Sequence, residues 1–190
     1  MHVGVFVKEM NRYVNVFHLK STKFSNPHGL ADKGNRSTAF DIAVLAFHAL
    51  KDPNFCAVVN KPKHECITYL KRRSILPRSQ VNQLMQSESG KQQLDEEVPY
   101  RAVWHNSNKL LGLEGFRGVK TGITQTAGPC LCILYENQVH KHKLITVVLG
   151  CQNVDYRFRD ARRLTLWADN MIVDKKMSKT ATPALTAKAK

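Results

Sequence analysis

Apolar residues recur at helical spacing in three segments of the chain. The first spans about residues 3–18; the second begins at a cap provided by Ser37 or Thr38 and closes at Asp52-Pro53; the third spans about residues 156–172. Each helix needs a partner to cover its apolar stripe. In chain order the three predicted stripes are Val3, Phe6, Val7, Met10, Val14 and Phe17; Phe40, Ala43, Val44, Phe47 and Leu50; and Phe158, Ala161, Leu164, Trp167, Ala168 and Met171, with Trp167 expected in the core.

The character of the sequence changes after Tyr100, where glycines separate β-prone runs. Strands are predicted at about residues 119–121, 130–135 and 144–149, and the turn at residues 136–138 fits an antiparallel hairpin between the last two. The order of helices and strands predicts an α+β fold in which helices pack on an antiparallel sheet.

Two stretches depart from these patterns. Residues 71–98 are polar with little periodicity, which favours an inserted excursion with one short helix near residues 79–85. The segment 174–190 is rich in Lys, Ala, Thr and Pro, which favours a basic disordered tail. The sequence therefore predicts one domain over residues 1–173, with the excursion inside it, followed by that tail.

Composition narrows the classes of function. The chain has 190 residues, is 43% apolar and carries a net charge of +14, which favours an anionic partner. No basic stretch is interleaved with aromatic residues, so a solvated basic surface is preferred to specific nucleic-acid recognition. Five cysteines without C-x-x-C spacing indicate neither a zinc site nor a disulfide framework. No run approaches the roughly 20 apolar residues of a membrane span, and the first residues do not look like a signal peptide.

The tripeptide Lys120-Thr121-Gly122 at the start of a predicted strand carries the most chemical information. A lysine ammonium there supplies positive charge to a substrate carboxylate and to a developing alkoxide. The Thr121 hydroxyl can donate a hydrogen bond to the same carboxylate, and Gly122 lets an extended peptide approach the strand closely. Asn26 and His28 are interpreted as residues that shape a loop, and His105 as a structural or exposed residue. His140 and His142 lie two positions apart on a strand, but two ligands alone do not define a metal site.

Several stretches surround this tripeptide in a fixed order. They are Met10-Asn11, Asn26-Pro27-His28-Gly29-Leu30, Ser37-Thr38-Ala39-x-Asp41-x-Ala43, Trp104-His105-Asn106-Ser107-Asn108-Lys109-Leu110-Leu111, Gly118-Val119-Lys120-Thr121-Gly122-Ile123-Thr124 and Ala127-Gly128-Pro129-Cys130-Leu131. Together they resemble, in register, the motifs of the serine-type D-alanyl-D-alanine carboxypeptidases, peptidase family S11. The resemblance covers about residues 3–172 apart from the excursion.

This resemblance implies an incomplete β-lactamase/transpeptidase-like, penicillin-binding fold and hydrolysis of the terminal D-alanine of peptidoglycan peptides. It implies a partner peptide ending in D-Ala-D-Ala, or a β-lactam, and no metal or organic cofactor. Its catalytic contributors would be Lys120, Thr121 and Gly122. The backbone N–H of Ile123 would serve as an oxyanion donor, and Arg157 would help to bind the substrate carboxylate, unless it is an ordinary surface residue at a helix start.

Covalent acyl transfer in this family needs a nucleophile and base from S-x-x-K, and no serine of this sequence is followed by lysine three positions later. No S-x-N occurs either. We therefore expect a truncated domain, without acyl-transfer activity as written, that exposes apolar surface. The alternative is a non-catalytic binding relative of the fold. Family members are exported to the cell envelope, but neither the compartment nor the oligomeric state of this chain follows from its sequence.

Overall fold

A computed structural model describes residues 2–30 and 32–180. The described residues form two compact units: one from residues 2–30, 32–61 and 107–180, the other from Pro62–Asn106. The elements, in chain order, are α1 (Val3–Val16), α2 (Ala39–Ala49), α3 (Pro53–Val59), β1 (Lys63–Lys71), a 3-10 turn (Arg72–Ser74), α4 (Arg78–Leu84), α5 (Glu88–Asp95), β2 (Glu97–His105), β3 (Phe116–Thr124), β4 (Gly128–Asn137), β5 (His142–Val148) and α6 (Tyr156–Thr180).

Side-chain caps fix where the helices of the first unit begin. Thr38, not Ser37, caps α2, because its hydroxyl accepts the N–H of Asp41 at 3.1 Å. Asp52 caps α3 by accepting the N–H groups of Asn54 and Phe55, and Pro53 occupies the first helical position, where its missing N–H is not needed. The predicted end of the second helix at Asp52-Pro53 is therefore also the start of a third, short helix.

Three antiparallel strands form the sheet of the first unit, in the order β3-β4-β5. Lys120 pairs with Cys132 and Gly122 with Cys130, and a register shift lies between Arg117 and Lys120. β4 and β5 form the predicted hairpin, but its turn lies at residues 138–141 and not at 136–138, because Glu136 and Asn137 still pair with Lys143 and His142. Within the described residues, β3 and β5 each have one neighbouring strand.

The apolar core consists of residues from the sheet, from the segment before it and from α6. It comprises Leu110, Phe116, Leu131, Ile133, Phe158 and Ala161. Polar residues extend the inward face of α6: Thr165 is fully buried, with its hydroxyl 2.7 Å from that of Thr146. Asp169 follows one turn later and accepts hydrogen bonds from the side chain of Asn137, and its Oδ1 lies 2.7 Å from His142 Nε2.

The predicted inward face of α6 is wrong in part. Trp167 is 61% exposed, and Leu164 and Met171 are also exposed, whereas Ala161, Thr165 and Asp169 point inward. The buried positions of α6 follow one another every four residues, and two of them are polar. The apolar residues at positions 164, 167 and 171 therefore predicted a neighbouring face of the helix as the buried one. The helix continues to Thr180, so residues 174–180 are helical where the sequence predicted disorder; residues 181–190 lie outside the described part.

The first two helices expose more apolar surface than a solvent-facing helix normally does. In the predicted α1 stripe only Val14 is fully buried, while Val3 and Phe6 are exposed. In α2 the predicted Phe40 and Phe47 are exposed, and Asp41 and Ala46 are the buried positions. Asp41 is inward because its carboxylate accepts hydrogen bonds from the Ser21 N–H at 3.1 Å and the Thr22 hydroxyl at 2.6 Å, which a hydrophobicity pattern cannot predict.

As for membrane-spanning potential, no single helix among the described residues has the length and apolarity of a span, whereas α2 and α3, bent by 115° at their junction, meet those two criteria as a pair.

The second unit contains an antiparallel β1–β2 pair whose register runs from Lys63 opposite His105 to Lys71 opposite Glu97. The short helix predicted near residues 79–85 is present as α4, and Ser87 caps the next helix, α5, by accepting the N–H of Gly90. Both strands were missed in the sequence. Apolar residues do alternate along β2, at Val98, Tyr100, Ala102 and Trp104, but most residues of both strands are exposed.

Candidate active site

The tripeptide Lys120-Thr121-Gly122 lies in an extended strand as predicted, but in the middle of β3 and not at its start, because β3 begins at Phe116. It borders a groove of about 720 Å³ within the first unit. The other walls are the loop at residues 27–30, β4, the end of β5 and the first turn of α6. Lys120 and Arg157 line the groove, and no acidic residue is among its described lining residues. The groove is therefore suited to an anionic ligand.

The loop that forms one wall is shaped by its own side chains. The Asn26 side chain accepts the Gly29 N–H at 2.9 Å and donates to the Leu30 carbonyl at 3.2 Å. His28 accepts the Leu30 N–H through Nδ1 at 3.2 Å. These contacts agree with the sequence-based view that Asn26 and His28 shape the loop. Gly29 has a φ of 73°, the left-handed region that favours glycine.

On β3, Lys120 and Gly122 are exposed, and Thr121 is half-buried. Lys120 is exposed and its ammonium donates to the Thr121 carbonyl. The Thr121 hydroxyl oxygen lies 2.6 Å from the hydroxyl oxygen of Ser107. A Cβ placed on Gly122 would meet nothing within 4 Å, so the strand has free space there for an extended ligand.

Arg157 is held in the first turn of α6 and is only 6% exposed. One guanidinium nitrogen donates to the Gly122 carbonyl at 2.9 Å, and the group lies 4.7 Å from the centre of the Phe158 ring. Its Nε is buried and has no hydrogen-bond partner among the described residues. An unpartnered buried donor costs free energy, so the position of Arg157 is maintained by its other contacts. The interpretation of Arg157 as a surface residue is wrong.

Two thiols also line the groove, Cys130 and Cys132. Burial raises the pKa of the Cys132 thiol to about 12, so it stays protonated at neutral pH. Of the five cysteines it is the one that is fully buried; the other four are half-buried. The described residues contain no group of three or more His, Cys, Asp or Glu side chains arranged to bind a metal.

The five residues singled out from the sequence all line this one groove: Lys120, Thr121, Gly122, Ile123 and Arg157. Their proposed roles, including the Ile123 N–H as an oxyanion donor, stay predictions. Ser107 is the residue whose place in the groove was missed. It lies within the Asn106-Ser107-Asn108 stretch that carried part of the resemblance, but no chemistry had been attached to it.

The chain is similar in sequence to known D-alanyl-D-alanine carboxypeptidases. The family model described as D-alanyl-D-alanine carboxypeptidase matches residues 3–88. The chain is similar to the D-alanyl-D-alanine carboxypeptidase DacA of Haemophilus influenzae, with 28% identity over 166 residues, which are 87% of this chain and 34% of that protein. It is also similar to DacF of Bacillus subtilis, with 31% identity over 127 residues, 66% of this chain and 25% of that protein.

Solved structures give the same fold. The Streptomyces K15 DD-transpeptidase matches with a TM-score of 0.66 at 23% identity, covering 85% of this chain and 53% of that one. Penicillin binding protein 5 from Haemophilus influenzae matches with a TM-score of 0.62 at 25% identity, covering 85% and 38% respectively. The chain thus has the DD-transpeptidase/penicillin-binding fold in part, and spans about a third of the length of the curated relatives.

Proposed function

We propose that the groove of this chain, which is similar in sequence to the D-alanyl-D-alanine carboxypeptidases and matches the C-terminal portion of their catalytic domain, binds peptides ending in D-Ala-D-Ala. The proposed reaction of the complete site is acyl transfer at the penultimate D-alanine carbonyl, followed by hydrolysis. The described groove supplies recognition and electrostatic stabilisation to that reaction.

The observation that supports this proposal is the state of Arg157. Arg157 lines a groove that has no acidic residue among its described lining residues, and its guanidinium, oriented by the bond to the Gly122 carbonyl, suits a carboxylate ligand. Guanidinium groups bind carboxylates through charge-assisted hydrogen bonds, which are about twice as strong as neutral ones. Lys120 lies on the same groove and adds a second positive charge.

The neighbouring groups complete the recognition. Thr121 donates its hydroxyl to the carboxylate, and Gly122 leaves room for the ligand backbone beside β3. The Ile123 N–H stabilises the oxyanion of the tetrahedral intermediate. A covalent step requires a nucleophile that this sequence does not contain in an S-x-x-K motif, so the chain by itself binds the peptide and forms no acyl-enzyme. The alternative is a non-catalytic binding relative of the fold. The absence of an S-x-x-K motif from this sequence also favours it, and such a relative would recognise the peptide in the same way.

The test compares two ligands: a tripeptide ending in D-Ala-D-Ala with a free carboxylate, and the same tripeptide with a C-terminal amide. Calorimetry on the full chain is expected to give tighter binding of the free acid. Arg157→Met is expected to weaken binding of the acid by about 10- to 100-fold, the equivalent of a charge-assisted hydrogen bond of about 1.5–3 kcal/mol, and to leave the amide unaffected.

Arg159→Met is the matched control, since it removes the same charge from the same helix at an exposed position that pairs with Asp160. Its binding should equal that of the unmodified chain. Equal affinity of acid and amide for the unmodified chain would contradict the proposed function. Separately, a fluorescent penicillin is expected to leave the chain without a covalent label after denaturation; a stable adduct would show that a nucleophile is present.

A further inference from the structure

Ser107 and Thr121 form a hydroxyl pair at the edge of the groove. Their oxygens are 2.6 Å apart, at the short end of the range for O–H···O bonds, and both residues line the groove. Ser107 is exposed, and the geometry allows either oxygen to be the donor. The direction of this hydrogen bond therefore depends on what else the two hydroxyls contact.

The direction decides what Thr121 offers to a ligand. A hydroxyl has one proton and two lone pairs. If Ser107 donates, the Thr121 proton is free to point into the groove. If Thr121 donates to Ser107, its proton is used and its lone pairs face the groove, which repels a carboxylate. An anion held by Lys120 and Arg157 selects the first arrangement, and a chain of donors in one direction strengthens each bond.

The backbone of Ser107 is held in place by the residue that follows it. Asn108 is 5% exposed, and its side-chain oxygen accepts the N–H of Leu110 at 3.1 Å. Leu110 belongs to the apolar core of the unit. The Ser107 hydroxyl is consequently presented to Thr121 from an anchored segment, which limits the entropy lost when the pair orders around a ligand.

We propose that Ser107 is a positioning residue: it orients the Thr121 hydroxyl so that Thr121 donates to the terminal carboxylate of the bound peptide. This inference rests on the proposed function, because it assigns a role toward the same carboxylate. It makes a specific claim beyond that function, namely that Ser107 acts through Thr121 and not by contacting the ligand.

The test is a double-mutant cycle read by ligand binding on the full chain. Ser107→Ala is expected to weaken binding of the free-acid tripeptide by about five-fold, the size of one neutral hydrogen bond, and to leave the amide tripeptide unchanged. Ser107→Thr keeps a hydroxyl and is expected to restore binding. In a Thr121→Ala background, Ser107→Ala should have no further effect, since the group that it orients is gone.

The outcomes separate the two proposals. If the unmodified chain prefers the free acid and Ser107→Ala does not change that preference, the role of Ser107 is overturned and the proposed function stands. If Ser107→Ala weakens the free acid equally with and without the Thr121 hydroxyl, Ser107 contacts the ligand directly, and the inference is again overturned. If the unmodified chain does not distinguish acid from amide, both proposals fail.

Discussion

Gly118 lies in β3 two residues before Lys120, where the strand passes the end of α3. A Cβ added to Gly118 would lie 2.0 Å from the carbonyl oxygen of Val59. Close carbon–oxygen contacts in proteins are about 3.3 Å, so a Gly118→Ala substitution demands a displacement of about 1.3 Å. The obstacle is backbone, and no side chain can rotate away to relieve it.

The surroundings resist that displacement. The Gly118 N–H donates to the Asn60 side-chain oxygen at 2.9 Å, and the Asn60 N–H closes the last turn of α3 through the Cys56 carbonyl at 3.2 Å. Overpacking a tight site costs about 1–3 kcal/mol, and we expect Gly118→Ala at the upper end. At about 2–4 °C per kcal/mol for a chain of this size, the melting temperature should fall by about 6–12 °C.

Gly122→Ala is the control in the same strand, because a Cβ there meets nothing within 4 Å. Its free energy of unfolding should stay within about 1 kcal/mol of the unmodified chain. The assay is thermal unfolding followed by circular dichroism, with urea titration to check that the m-value is unchanged. Equal melting temperatures for Gly118→Ala and Gly122→Ala would refute the reasoning.

Two further predictions concern ionisable groups. Because burial raises the pKa of the Cys132 thiol to about 12, this thiol should react with iodoacetamide at pH 8 much more slowly than half-buried Cys66. Peptide mass mapping measures the two rates, and guanidinium should make both thiols reactive. Similar rates in the folded chain would contradict the assigned burial. Lys109 donates to Asp155 at 2.7 Å and lowers the pKa of that carboxyl. Lys109→Met should therefore raise the pKa of Asp155 toward its ordinary value, as measured by a carbon-13 titration. An unchanged pKa would show that the ion pair does not form in solution. Because the folded pKa is the lower one, any stabilisation from this exposed pair is present above the unfolded pKa and is lost as the pH falls through the folded pKa.

The sheet and its chemistry follow from local signals. Gly118 and Gly122 bracket the Lys-Thr pair, and Gly128 begins the next β-prone run, so the strands and the groove residues could be predicted from spacing and motif. The hydrogen bond between Ser107 and Thr121 could not be predicted from the sequence. It joins residues that are fourteen positions apart, and the path of the chain between them depends on the buried Asn108. Arg157 was assigned from the resemblance; its burial and its contact with the Gly122 carbonyl emerge only in the fold.

The helices show why pattern and burial diverge. In α6 the inward positions include Thr165 and Asp169, whose partners Thr146 and His142 come from β5. A buried polar residue with a partner on another element looks like a surface residue in the sequence. In the second unit, pattern and burial diverge in the opposite direction, since Ile67 on β1 and Trp104 on β2 are apolar but exposed.

β5 is an edge strand of the described sheet, and this position favours self-association of the protein. Along one side of this strand, backbone donors and acceptors have no strand partner in the described part of the chain, and its sequence is rich in Leu, Ile and Val. An open edge of this kind is a template onto which another extended chain can hydrogen-bond. Protein concentration, as well as temperature, will therefore set how long a preparation stays free of self-association.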